Sequence, residues 1–181
     1  MKEIHSIQIQ QPIETVFDLV TDPNRFHEWS TYIRRVEILS RGSWGGFDQA
    51  RFILVRGNLE VELIETVIKY ERPTLVASKF HILRSTRRPN NPSQGDLPPI
   101  GEFDFPKERV FEKRFKNEQR TMIEQMDFIP EGENSMTLRM TSLSHLGLLH
   151  SVVAWTNRIL RRSQLAKTLE AIKKAAESSI E

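Results

Sequence analysis

The apolar residues of this chain change their spacing once, and that change limits the folds open to it. From residue 32 to 143 they recur at every second position in six runs, near 32–40, 48–56, 59–70, 75–84, 119–130 and 134–143. Alternation of this kind marks strands with one buried face. From 144 to about 178 the spacing becomes three and four. Leu148, Val152, Trp155, Ile159, Ala166, Leu169, Ile172 and Ala176 then fall on one helical face, with Lys and Arg gathered on the other. Breaks between the strands fall at Gly42-Ser43-Trp44-Gly45-Gly46, Gly57-Asn58, Arg72-Pro73 and Glu131-Gly132-Glu133. Short connections between consecutive strands, followed by one long amphipathic helix, predict an α+β chain built on an antiparallel meander.

The N-terminal end adds three elements. Ile7 and Ile9 alternate with Gln8 and Gln10 as in a strand. Pro12 suits the first turn of a helix, where its missing N–H has no partner to lose. Ile13, Val16, Phe17 and Val20 follow at helical spacing, so residues 12–21 should bury one stripe until Asp22-Pro23 stops them. A second short helix at about 23–29 brings Phe26 and Trp29 to the same side. Residues 85–107 are rich in proline and polar side chains and fit no strand, while Phe111 and Phe115 allow a short helix within 107–118.

This order resembles the START-like superfamily, which includes proteins of the polyketide cyclase/dehydrase type. The first third carries the clearest likeness, in Pro12-Ile13-Glu14-Thr15-Val16-Phe17-Asp18-Leu19-Val20-Thr21-Asp22-Pro23 and Arg25-Phe26-His27-Glu28-Trp29-Ser30. The segment Leu165-Ala166-Lys167-Thr168-Leu169-Glu170-Ala171-Ile172-Lys173 is similar to that family's closing helix. The resemblance implies a helix-grip fold: a seven-stranded curved antiparallel sheet with two short helices, wrapped around a long C-terminal helix. It spans residues 1–181 as one domain, apart from an insertion at about 85–118 between the fifth and sixth strands. It also implies a cavity between sheet and helix. Family members bind lipids, hormones, aromatic polyketides or quinones, and some are enzymes, so the fold alone does not choose a function.

Hairpin register indicates which side chains should face that cavity. A two-residue turn at Gly57-Asn58 pairs Arg56 with Leu59, Leu54 with Val61, Phe52 with Leu63 and Ala50 with Glu65. Opposed residues share a face. This largely apolar set should point inward, with Arg51, Glu60 and Glu62 outward, and Ser78, Phe80 and Ile82 can join it. A three-residue turn at 131–133 would oppose Phe128 to Met136, Met126 to Leu138, Glu124 to Met140 and Met122 to Ser142. The ligand-lining set expected from this is Phe52, Leu63, Glu65, Phe80, Glu124, Met126, Met140 and Ser142 from the sheet, with Val152 and Trp155 from the helix. Glu65 and Glu124 stand out, because a carboxylate among apolar neighbours is pushed toward its neutral form unless a cation, such as Arg34, compensates. An ordinary core or strand-end position is the competing reading for each.

Other chemistries find less support. The chain has no cysteine, and its five histidines show no His-Glu-x-x-His spacing, so neither a disulfide nor a zinc site is expected. No cofactor is called for. His5 shares parity with Ile7 and Ile9 and can face the cavity, while His27 reads as structural. The glycine-rich 42–46 segment lacks the lysine of a phosphate-binding loop and reads as a strand connection in which Trp44 caps an edge of the core. With 26 basic and 24 acidic residues, net charge +2, the pairs Arg34-Arg35, Arg87-Arg88 and Arg161-Arg162 read as solvated surface, and no nucleic-acid partner is expected. No run is apolar and long enough to span a bilayer and the start resembles no secretory signal, so a cytoplasmic location without membrane insertion is the default. The oligomeric state stays open.

Three functions remain: binding of an apolar or amphipathic small molecule as carrier or sensor, a cyclase- or dehydratase-type reaction using an inward glutamate, and a protein- or ribosome-interaction module. No catalytic motif singles out a reaction. In an up-and-down meander the 57–58 turn, the 85–118 insertion and the start of the last helix share one end. That end is the expected cavity mouth, with the insertion as a cover contributing Phe103 and Phe105.

Overall fold

The computed structural model describes residues 2–56, 59–87, 121–144 and 151–178, with the backbone alone at 56, 85, 87, 121, 144 and 151–164. Seven strands are present: β1 (Lys2–Ile9), β2 (Ile33–Arg41), β3 (Phe47–Arg56), β4 (Leu59–Glu71), β5 (Leu75–Arg87), β6 (Thr121–Gly132) and β7 (Ser135–Ser144). Helices α1 (Ile13–Thr21) and α2 (Phe26–Trp29) lie between β1 and β2, and α3 (Ser151–Ser178) closes the chain. The strands form one curved antiparallel sheet in the order β1-β7-β6-β5-β4-β3-β2. The meander β2 to β7 is consecutive, and β1 completes it by pairing with β7.

Local chemistry explains how the N-terminal helices turn. The carbonyl of Pro12 accepts from Val16 N at 3.3 Å, which places the proline just ahead of α1. Asp22 ends α1 through its N–H to Asp18 O at 3.0 Å. Its carboxylate then accepts from Asn24 N at 2.9 Å, starting the 3-10 turn Pro23–Arg25 that leads into α2. Trp29 Nε1 donates to Leu19 O at 3.1 Å, tying α2 back onto α1. Phe26 and Trp29 do meet, edge to face at 5.7 Å.

The β3–β4 register is the expected one, from Arg56↔Leu59 through Ala50↔Glu65. Residues 57 and 58 themselves lie outside the described ones. Across β4–β5, Leu63 faces Ile82, Glu65 faces Phe80 and Val67 faces Ser78, so all six share the concave side. The β6–β7 register differs from expectation by two residues. Phe128 opposes Leu138, Met126 opposes Met140, and Glu124 opposes Ser142. The strands run further than the three-residue turn allowed, to Gly132↔Ser135, with an irregularity between Pro130 and Gly132 that absorbs one residue. A shift of two keeps every side chain on its face, so the inward set survives while its partners change.

Two apolar clusters fill the concave side. One joins Ile9, Phe17, Leu19, Phe128, Met136, Leu138 and Met140 to Leu165, Leu169, Ile172 and Ala176 of α3. The other holds Phe26, Phe47, Ala50, Phe52 and Leu63. On α3 the buried stripe uses Leu165 where the spacing expectation placed Ala166, which is exposed. Positions 165, 169, 172 and 176 keep a strict four-three-four spacing, and 166 falls about 100° away from it. Of the other residues expected on that stripe, Leu148 lies outside the described residues, as do the side chains of Val152, Trp155 and Ile159. On the convex side Arg51 reaches Glu37 at 3.4 Å and Glu62 at 3.9 Å, which accounts for the charged residues expected to face outward there. No helix among the described residues is long and apolar enough to cross a membrane.

Candidate ligand-binding cavity

The two apolar clusters meet through Trp29, which packs against both, and a cavity lies along the seam between them. Val20 and Thr21 at the end of α1 bound it on one side, with Val76 and Met126 from the sheet. Phe26 and Phe47 bound it on the other, with Val67 and Phe80. Trp44 covers one end, and Glu65, Ser78 and Glu124 supply the polar wall. Its volume is about 40 Å³, room on the order of three water molecules.

The polar wall follows from strand pairing. Opposed residues place Glu3, Ser142, Glu124 and Ser78 in one row across β1, β7, β6 and β5, and Glu65 stands one step along β4 from Val67, which continues that row. The Ser78 hydroxyl donates to the Glu65 carboxylate. Burial nevertheless pushes the Glu65 carboxyl up to about 7, the nearby negative charge of Glu124 adds to the rise, and the Ser78 hydrogen bond only partly offsets it. Glu65 is thus poised to be neutral or ionised near neutral pH. Arg34, the cation considered for it, is exposed on β2. Glu3 Oε1 is buried without a hydrogen-bond partner. His5 shares the concave face one row further on, opposite Met140.

Trp44 is held by the glycines around it. Its ring stacks on Tyr70 with centroids 4.0 Å apart and planes 19° from parallel. A Cβ on Gly42 or on Gly46 would overlap the indole, so neither position accepts a side chain while Trp44 keeps this place. Gly45 has φ +93°, a conformation glycine adopts without strain. The glycine-rich segment is therefore a seat for an aromatic wall of the cavity as well as a strand connection. Gly46→Ala is expected to push Trp44 off Tyr70 and lower stability by about 1–3 kcal/mol, as overpacking does. Urea denaturation reads the loss and near-UV circular dichroism reads the stack; unchanged values in both would refute this seating.

Comparison with known proteins reaches the same architecture. Residues 5–93, just under half of the chain, match the family described as polyketide cyclase / dehydrase and lipid transport. A START superfamily protein from Mycobacterium smegmatis superposes with a TM-score of 0.66 at 13% identity, covering 98% of this chain and 97% of its own. The chain has the START-like fold. The START-like fold is shared with norcoclaurine synthase from Thalictrum flavum, solved in complex with dopamine and hydroxybenzaldehyde (TM-score 0.61, 13% identity, 98% of this chain and 87% of that one). The di-domain ARO/CYC BexL of the BE-7585A biosynthetic pathway gives 0.62 at 15% identity, over 98% of this chain and 46% of that one. A comparison with curated protein sequences found no match.

Of the residues singled out in this START-like chain, Glu65, Phe80, Glu124 and Met126 line the cavity together. Phe52, Leu63 and Met140 are packed into the two clusters, and Ser142 is buried beside Glu124 in the polar row. The side chains of Val152 and Trp155 lie outside the described residues, as do Phe103, Phe105 and the rest of the 88–120 segment, with the short helix considered within 107–118. The cavity extends from mid-sheet toward the end of the glycine-rich connection, the opposite end from the expected mouth. Sequence reasoning left out Val20, Thr21, Phe26, Phe47, Val67 and Val76, because helix-to-sheet proximity has no local signature. Trp44 did carry a signal, standing among three close glycines.

Proposed function

We propose that this START-like chain binds a small amphipathic molecule as a carrier or sensor, its polar end against Glu65 and its apolar body along the seam between the two clusters. The observation that carries this is a poised carboxyl, Glu65, set in a cavity whose other walls are mainly aromatic and aliphatic. Sites of that composition take their affinity from the apolar walls and their orientation from the few polar groups. A family described by polyketide cyclisation and lipid transport is compatible with such a ligand. The open volume, about 40 Å³, admits the polar head group.

Native mass spectrometry of protein purified without added ligand tests the reading. A bound small molecule, released on denaturation, is expected. Protein free of any adduct that also shows no thermal shift with fatty acids, quinones or aromatic amphiphiles would overturn it.

One observation favours a second reading. A carboxyl titrating near 7 can both give and take a proton at neutral pH, as a general acid or base must. An enzyme of cyclase or dehydratase type would lose turnover in Glu65→Gln and retain binding, whereas a carrier would change affinity and have no turnover to lose.

A further inference from the structure

The charged side chains among the described residues of the cavity wall are Glu65 and Glu124, and both are carboxylates. Four aromatic rings, Phe26, Trp44, Phe47 and Phe80, stand in the same wall. Each kind of group narrows the polar end of a ligand. Carboxylates repel a ligand carboxylate or phosphate and attract a cation. Aromatic rings carry a negative face that attracts an ammonium group more strongly than a neutral hydroxyl. A volume of about 40 Å³ accommodates an ammonium and one or two adjoining carbons, but not a bulky polar head.

We propose that the ligand's polar end is an organic ammonium group, so that the ligand class is an amine with an apolar, preferably aromatic, body. This rests on the reading of the cavity as a ligand site and adds the identity of its polar group. Glu65 is the anchor, with Ser78 holding its carboxylate in place. The ammonium replaces the proton that Glu65 otherwise carries, so the amine binds best where Glu65 is ionised. Glu124 is the charged group whose field is felt at Glu65. Among the described side chains, the other titratable groups on the concave face are Glu3 and His5 of β1, Tyr70 of β4 and, at the exposed end of β2, Arg41.

Isothermal titration with 2-phenylethylamine, 2-phenylethanol and phenylacetate, which share one body and differ in charge, provides the test. At pH 8 the amine should bind at least ten-fold more tightly than the alcohol, and phenylacetate weakest. The amine stays protonated from pH 6 to 8, and with Glu65 titrating at about 7 its affinity should rise about ten-fold as the pH goes from 6 to 8. Glu65→Gln should remove both the preference and the pH dependence. An alcohol that binds the wild-type protein as well as the amine overturns the ammonium assignment and leaves the binding function standing. Failure of all three probes to bind at millimolar concentration overturns both. The wild-type comparison needs no variant, so a poorly folded Glu65→Gln would not obscure the answer.

Discussion

Phe17→Ala is expected to cost about 3–5 kcal/mol of folding stability, the range for emptying a fully enclosed aromatic site. Phe17 has no exposed surface. Its ring meets Phe128 of β6 edge to face at 4.9 Å and Tyr70 of β4 at 5.3 Å. The residue thus joins α1 to two strands that are not neighbours in the sheet, so a smaller side chain cannot be compensated by one element moving. Tyr70 in turn supports Trp44, and the same substitution should weaken the near-UV signal of that stack. Guanidinium denaturation measures the loss, and a cost below about 1 kcal/mol would mean the cluster is far more adaptable than its contacts indicate.

Glu65→Gln should act in the opposite direction and only at higher pH. In the unfolded chain this carboxyl titrates near its ordinary value of 4.5, and in the folded chain at about 7. Between those values the folded state holds a proton that the unfolded state has released. Stability therefore falls as pH rises from about 4.5 to about 7 and stays reduced above it. A gap of that size corresponds to about 3 kcal/mol. Glutamine has no charge to desolvate and can still accept from Ser78. The variant should match the wild type near pH 4 and exceed it by about 2–3 kcal/mol at pH 8. Denaturation midpoints that move in parallel for the two proteins from pH 5 to 8 would show that Glu65 ionises like an exposed carboxylate. Such a result would also remove the basis of the acid–base reading. A group kept at this cost in stability is the expected signature of a site selected for binding or chemistry rather than for folding.

The hairpins illustrate how far local rules reach. Gly57-Asn58 stands between two alternating runs, and a single assumption about that turn correctly orders the pairs from Arg56↔Leu59 to Ala50↔Glu65. The same assumption at Glu131-Gly132-Glu133 misplaces the partners by two, because the strand continues through Gly132 past a local irregularity. Such an irregularity depends on how the strand twists against its neighbours and leaves little trace in composition. The inward residues were still identified, since strand parity is unchanged by an even shift. On α3 the spacing identified the buried face, while the choice of Leu165 over Ala166 depends on a rotation of the helix that only its packing against β1, α1 and α2 sets.

Alternation, helical spacing and turn residues are properties of neighbours along the chain, and they determined the elements, their order, the antiparallel pairing and the inward placement of Glu65 and Glu124. The cavity is a property of what fails to touch. It exists because the Phe17 cluster and the Phe52 cluster pack around different helices and leave a seam between them, into which Trp44 folds from the 42–46 connection. The distance between two separately packed groups is fixed by the sheet's curvature and the helices' docking, sums over many contacts far apart in sequence. For that reason the tertiary structure alone decided where the hollow lies, how small it is, and that Val20, Thr21, Phe26 and Trp44 face the two carboxylates across it.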